Sequence, residues 1–271
     1  MLKISALFIY PVKSLGGISL DSAVVTDRGL KHDRRWLLID ENNRFLTQRE
    51  HASMALLQTS FAENGDLEIR HKKDPTIKLG IPVSIPETEP VKVTIWDDEC
   101  LALPVGYIPD EWFSNVLGIP CRLVYMPDDT HRLVDPDYAP GKEITSFSDA
   151  FPFLLIGQSS LDDLNSRLDQ PVPMNRFRPS IVFTGGTPYQ EDNMKHFRVG
   201  DTDFFGVKPC GRCVVTTINQ DEATTSTEPL KTLNSYRKKN NKVLFGQNCI
   251  HKGAGNIKVG DEIIIIGDPA F

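Results

Sequence analysis

The sequence predicts a mainly β protein, barrel-like in its sheets, with a few helices added. Three observations carry this. Short runs with strand-like alternation recur along the whole chain, helical periodicity is confined to three short segments, and Gly and Pro, 19 of each, punctuate the intervals.

The elements follow in order. Leu2–Tyr10 alternates like a strand and is cut by Pro11. Arg35–Asp40 and Arg44–Thr47 read as strands flanking Glu41-Asn42-Asn43. Leu56–Phe61 and Leu67–Ile69 flank Asn64-Gly65, a strong hairpin signal. Val91–Trp96 alternates with period two. A helix is expected from Asp110 as N-cap through Trp112, Phe113 and Val116 to a stop at Gly118-Ile119-Pro120. Cys121–Tyr125 reads as a strand, and the polar stretch Pro127–Gly141 as a functional loop or a domain connection. Pro152–Ile156 is a buried strand, and Ser159 or Ser160 caps a helix over Leu161–Leu168 with Asp162 and Asp163 in its first turn. Strands are expected at Ser180–Phe183, Phe197–Val199, Val214–Ile218 and Glu262–Ile266, and a short helix at Pro229–Lys238.

Composition narrows the function. The chain has 271 residues, 40% hydrophobic and 24% charged, enough for one large or two modest domains. A net charge of −6 argues against binding nucleic-acid polymers or anionic membranes. No stretch approaches the ~20 apolar residues of a spanning helix. Five cysteines make no disulfide framework, so a reducing, cytoplasmic setting is expected.

The chemistry concentrates at Lys208-Pro209-Cys210-Gly211-Arg212-Cys213, followed by Val214-Val215-Thr216-Thr217. Neighbouring cations favour the thiolate, which is the better nucleophile and the better metal ligand. The Val/Thr run predicts a strand, unlike the helix that follows a thioredoxin-type pair. Cys100, Cys121 and Cys249 are scattered singly, and the six histidines show no metal-ligand spacing. Spacing alone leaves open a single-cysteine ligand or nucleophile, an inert pair at a strand end and, third, zinc.

The surroundings are more specific. Tyr10-Pro11-Val12-Lys13-Ser14 and Asp33-Arg34-Arg35-Trp36 resemble the N-terminal β-barrel of MOSC proteins. Pro152-Phe153-Leu154-Leu155, Asn175-Arg176-Phe177-Arg178-Pro179, Cys210–Thr217, Leu244-Phe245-Gly246-Gln247 and Val259-Gly260-Asp261 resemble the MOSC domain itself. The likeness runs the length of the chain and implies an N-terminal β-barrel domain over 1–120 and a MOSC domain over 121–271. It is to the amidoxime-reducing type and the bacterial relatives that detoxify hydroxylaminopurine.

That resemblance implies a molybdenum cofactor, a metal held by the dithiolene of a pterin phosphate, with Cys213 as the protein's ligand to molybdenum. It implies cofactor contacts from Gly211, Arg212, Lys13, Ser14, Arg34 and Arg178, and places Asp149 near the metal as a catalytic acid. Asn248 stands where a relative has tyrosine, and Ala150-Phe151 replaces Thr-Ser. Such a cofactor is a dense anion, so an acidic chain must gather cations locally to hold it. A soft thiolate suits a metal already bound by sulfur.

The activity implied is reduction of N-hydroxylated compounds, hydroxylaminopurines and amidoximes, with electrons from a separate reductase, ferredoxin or flavoprotein. The sequence shows no four-cysteine cluster and no dinucleotide fingerprint, and no appended ferredoxin domain is expected after Asp268–Phe271, so the electrons are expected from a separate protein. The alternative is a cofactor-binding or sulfur-carrier module like that of the molybdenum-cofactor sulfurases. Pyridoxal phosphate binding is associated with such folds, but no lysine here has a Schiff-base context. Thiol–disulfide exchange by Cys210 and Cys213 is a third reading, disfavoured by the expected strand after them.

Overall fold

The computed structural model describes residues 1–85, 88–139 and 141–267, so Pro140 of the connecting stretch and the terminal Asp268–Phe271 lie outside the described residues. Seven strands close a barrel. Their order is Phe153–Gly157, Ile181–Thr184, Leu2–Ile9, Glu262–Gly267, His196–Val199, Thr202–Arg212 and Lys242–Lys252, the last pairing back to the first through Phe153–Cys249 and Leu155–Gln247. Closure leaves no unpaired edge in this ring. Phe153, Phe197 and Phe204 fill it, with Phe204 edge-on to Phe153 at 5.2 Å and stacked on Phe197 at 5.3 Å.

The rest of the first half forms a four-stranded sheet, in the order Trp36–Ile39, Arg122–Tyr125, Asp98–Pro104, Val91–Ile95, and a meander of Leu57–Phe61, Leu67–His71 and Asp74–Ile81. Trp36, Phe113 and Leu123 are buried in the core between them. The halves interlock. The first strand of the chain lies inside the barrel, between Ile181–Thr184 and Glu262–Gly267. Ser22–Thr26 likewise pairs with Gly255–Lys258.

Several elements differ from the sequence reading. The first helix spans Tyr107–Leu117, because the Asp110 carboxylate accepts the Leu123 N–H at 2.7 Å instead of capping; Gly118 ends it at φ +69°. The second spans Gln158–Asn165, with Ser160 buried inside it and donating to Glu191. Arg44–Thr47 makes only isolated bridges among the described residues, Phe45 to Ile39 and Arg44 to Thr94. Trp96 is not the end of a strand but the first residue of a turn. Val214–Thr217 is a single 3₁₀ turn, not a strand. The Thr216 and Thr217 hydroxyls donate to the Cys213 and Val214 carbonyls, a local alternative that overrides β propensity.

The strand that presents the cysteines instead contains Cys210 and ends just before Cys213. Thr202–Arg212 and Lys242–Lys252 are eleven residues each, and Pro209 enters the first only because the register shifts on either side of it. Phe204 anchors that strand, so Phe204→Ala should cost about 3–5 kcal/mol. Urea unfolding measures the loss; a cost below about 1 kcal/mol would show that the barrel core does not depend on this ring.

Candidate active site

One cleft of about 140 Å3 lies where the two halves meet, and it is lined by Lys13, Ser14, Arg34, Asp149, Arg178, Gly211, Arg212, Cys213 and Asn248. Every candidate residue from the sequence reaches this one cleft. Cys210 and Ala150-Phe151 border it too.

The first half enters through the segment after Leu2–Ile9. Lys13 N–H donates to Trp36 O, and Trp36 N–H to Pro11 O, which ties this segment to the four-stranded sheet. Arg34 N–H donates to Tyr10 O, and Phe147 N–H to Arg34 O, so the segment before Asp149 is drawn to the same place. Ser14, Arg34 and Arg178 all have left-handed backbones, at φ +68°, +49° and +54°. Each costs about 1–2 kcal/mol for a residue with a Cβ, and three such residues at one cleft mark a preorganised site.

The charge is concentrated. Lys13, Arg34, Arg49, Arg178 and Arg212 line the cleft against Asp149, the one carboxylate among the described residues of its lining. Arg34 is neutralised from behind by buried Asp33, with Nη1 at 2.8 Å and 2.6 Å from its two oxygens. Tyr10 lies beside both guanidiniums, its ring centroid 4.3 Å from Arg34 and 4.2 Å from Arg178. Gly17 leaves room for that ring, since a Cβ there would stand 2.5 Å from Tyr10 Cε1. Arg178 itself donates only to the Leu15 carbonyl, at 2.7 Å. Burial pulls its pKa down to about 10, with the nearby tyrosine opposing and Arg34 adding to the fall. Arg212 donates to Phe177 O at 2.7 Å and to Cys210 Sγ at 3.1 Å, and its Nε is buried without a partner. The cation beside the pair therefore contacts Cys210, and both cysteines line the cleft.

Lys13 donates from Nζ to Phe147 O at 2.7 Å and to Asp149 Oδ1 at 2.8 Å. Burial lowers its pKa to about 8, against the pull of Asp149. Desolvation works against the Asp149 carboxylate, but Lys13, Arg49 and their hydrogen-bonding neighbours outweigh it and hold Asp149 well below the usual carboxylate range. Asp149 is thus ionised and Lys13 carries the titratable proton.

Three residues of the site have no counterpart in the sequence reading. Gln48 is buried and donates to Ser14 O at 2.6 Å, while Gln220 donates to it at 3.0 Å. Arg49 stands 3.8 Å from Asp149 and 4.4 Å from the Trp96 ring centroid. The sequence signal for Gln48 and Arg49 is a polar run directly after Phe45-Leu46, and for Gln220 a second polar run, Asn219–Glu222; their partners are distant in the chain.

These residues fit an anionic cofactor that brings its own sulfur ligands. Among the described residues Arg178 has no ion-paired carboxylate and the buried Arg212 Nε has no hydrogen-bond partner, and two cysteines line the cleft. Among the described residues no group of three His, Cys, Asp or Glu side chains is arranged to hold a bare metal ion. A metal that arrives already ligated needs only one further soft ligand, which a cysteine of this cleft is chemically suited to supply.

A bound anion favours the charged form of Lys13, so anion affinity should be full below about pH 8 and fall as pH rises through that value. Titration calorimetry with molybdate, between about pH 6.5 and 9.5, should show this slope in the wild type and not in Lys13→Met. Binding of the wild type that is flat across the range would contradict the assignment.

The residues of each half also match known proteins. The MOSC N-terminal beta barrel domain is matched over residues 1–120 and the MOSC domain over residues 142–264. The chain is 34% identical to mitochondrial amidoxime-reducing component 1 of Homo sapiens, over 97% of this chain and 83% of that protein. It is 32% identical to the Mus musculus protein of the same name, over 97% and 82%. Molybdenum cofactor sulfurase of Oryza sativa subsp. japonica is 33% identical over 90% of this chain, but the match spans only 32% of that longer protein. With both domain types matched in order, and a relative above 30% identity across most of both chains, the protein belongs to the MOSC family in its two-part form, a MOSC N-terminal β-barrel joined to a MOSC domain.

Proposed function

We propose that the protein is a molybdenum-cofactor-dependent oxidoreductase that reduces N-hydroxylated compounds, hydroxylaminopurines and amidoximes among them, with electrons from a separate donor protein. The observation that carries this is one cleft lined by Cys213, with Cys210 beside it in contact with Arg212, among cations contributed by both halves. The likeness to amidoxime-reducing components over nearly the whole chain supports it. The five cysteines are free, which supports a cytoplasmic setting.

When bound, the cofactor supplies two-electron oxygen-atom chemistry at molybdenum. The chain supplies the rest. Cys213 Sγ holds the metal. Lys13, Arg34, Arg178 and Arg212 bind and orient the anion, with Ser14, Gly211 and Asn248 completing its walls. The overall reaction takes an N–OH compound, two electrons and two protons to the amine-type product and water. Lys13 Nζ holds a proton 2.8 Å from Asp149 Oδ1, so the lysine is the acid available to the departing oxygen and ionised Asp149, at the cleft mouth, positions it.

A specific observation favours a second reading, a cofactor-binding or sulfur-carrier role: the match to a molybdenum cofactor sulfurase over 90% of this chain. One experiment separates the two. Protein from a molybdenum-replete host is given a chemical reductant and benzamidoxime or 6-hydroxylaminopurine. The reductase reading expects matching amine formation, lowered at least about 100-fold in Cys213→Ser and largely kept in Cys210→Ser. NADH or NADPH alone should not support turnover. Full cofactor loading without N–OH reduction, together with transfer of cofactor or sulfur to another protein, would establish the second reading instead.

A further inference from the structure

The hairpin of Val91–Ile95 and Asp98–Pro104 closes through the pair Ile95–Asp98, so Trp96 and Asp97 form a two-residue turn. Such turns need positive φ and are normally Asn-Gly or Asp-Gly. Here the first position is tryptophan, at φ +55°, a conformation that is an outlier for so bulky a residue. Burial does not explain it, because the side chain is 43% exposed.

The ring is nevertheless held in place. Phe45 packs edge-on at 4.8 Å, the Arg49 guanidinium lies 4.4 Å from the ring centroid, and the indole Nε1 is 3.4 Å from Asp149 Oδ1. Arg49 and Asp149 line the inner cleft, and with Trp96 they also line a vestibule of about 910 Å3 outside it. Phe151 and Lys208 border the same vestibule. A strained, fixed and exposed indole thus stands at the entrance of the cleft, bonded to the acid placed at its mouth. Strain kept at such a position points to a role in binding.

Resting on the reductase reading, we infer that Trp96 is the specificity-determining residue of the site, a stacking platform for the planar aromatic part of the N-hydroxylated substrate. Arg49 fixes the ring through its cation–π contact, and the exposed indole surface receives the ligand. Stacking tolerates any flat π-system, so the platform selects aryl amidoximes and hydroxylated purines over aliphatic N–OH compounds without selecting one base.

The test uses cofactor-loaded protein and two readouts. In turnover, Trp96→Ala should raise KM for benzamidoxime and 6-hydroxylaminopurine about tenfold and leave KM for acetamidoxime unchanged. Trp96→Phe, which keeps a ring and loses the N–H, should restore most of the preference. Equal KM increases for aromatic and aliphatic substrates would overturn the inference. In binding, adenine should quench the tryptophan fluorescence of the wild type. Trp36 is fully buried, and Trp112 packs against Phe113 on a helix outside the vestibule, so the quench should vanish in Trp96→Phe. Quenching that persists in that variant would overturn the platform. If the wild type reduces no N–OH compound, the reductase reading fails, and the fluorescence result alone then upholds or overturns the stacking site.

Discussion

Cations crowd the cleft of a protein whose net charge is −6, and most of the surrounding structure serves to hold them there. Like charges this close repel, and burial removes the water that would screen them. The fold compensates each one differently. Asp33 neutralises Arg34 from behind, backbone carbonyls of Leu15 and Phe177 receive Arg178 and Arg212, and the Phe147 carbonyl with Asp149 receives Lys13. Tyr10 offers its ring to two guanidiniums. The compensation is incomplete, as the lowered pKa values of Lys13 and Arg178 record. That residual cost is what an anionic ligand relieves, so the same imbalance that burdens the isolated protein favours the bound state.

Holding cations from both halves at one point requires the halves to be interlocked. The strand Leu2–Ile9 belongs to the barrel, and the chain leaves it directly into Tyr10–Ser14, so Lys13 and Ser14 are placed by barrel closure. From the other side, bulges around Pro209 bring the end of a long barrel strand to Cys210–Cys213. Gln48 and Gln220, 172 residues apart, pair beneath the Ser14 carbonyl. A relative shift of the halves would break these bonds and separate Cys213 from its cations together.

The β character, the barrel and the site residues were legible in the sequence for different reasons. Hairpin punctuation at Asn64-Gly65 and the period-two runs report local structure, and the structure bears them out at Leu57–Phe61, Leu67–His71 and Val91–Ile95. Lys13, Arg34, Arg178 and Cys213 sit in short motifs with distinctive neighbours, which made it legible that they belong together, and the structure brings them to one cleft. What escaped depends on tertiary contacts. Val and Thr at 214–217 have strand propensity, but their hydroxyl and backbone bonds to Cys213 and Val214 make a turn. Trp96 continues the alternation of its strand, and nothing local shows that the chain reverses there. Gln48 and Arg49 look like surface polar residues until the second half arrives to bury one and bring Asp149 to the other.

The central claim is that Cys213, and not the cation-contacted Cys210, holds the metal of a cofactor bound among these side chains. Molybdenum K-edge X-ray absorption of loaded protein measures it most directly, because it counts sulfur neighbours without reference to turnover. Cys213→Ser is expected to show one sulfur scatterer fewer than the wild type, and Cys210→Ser no change. An unchanged sulfur count in Cys213→Ser with the metal still bound would contradict it.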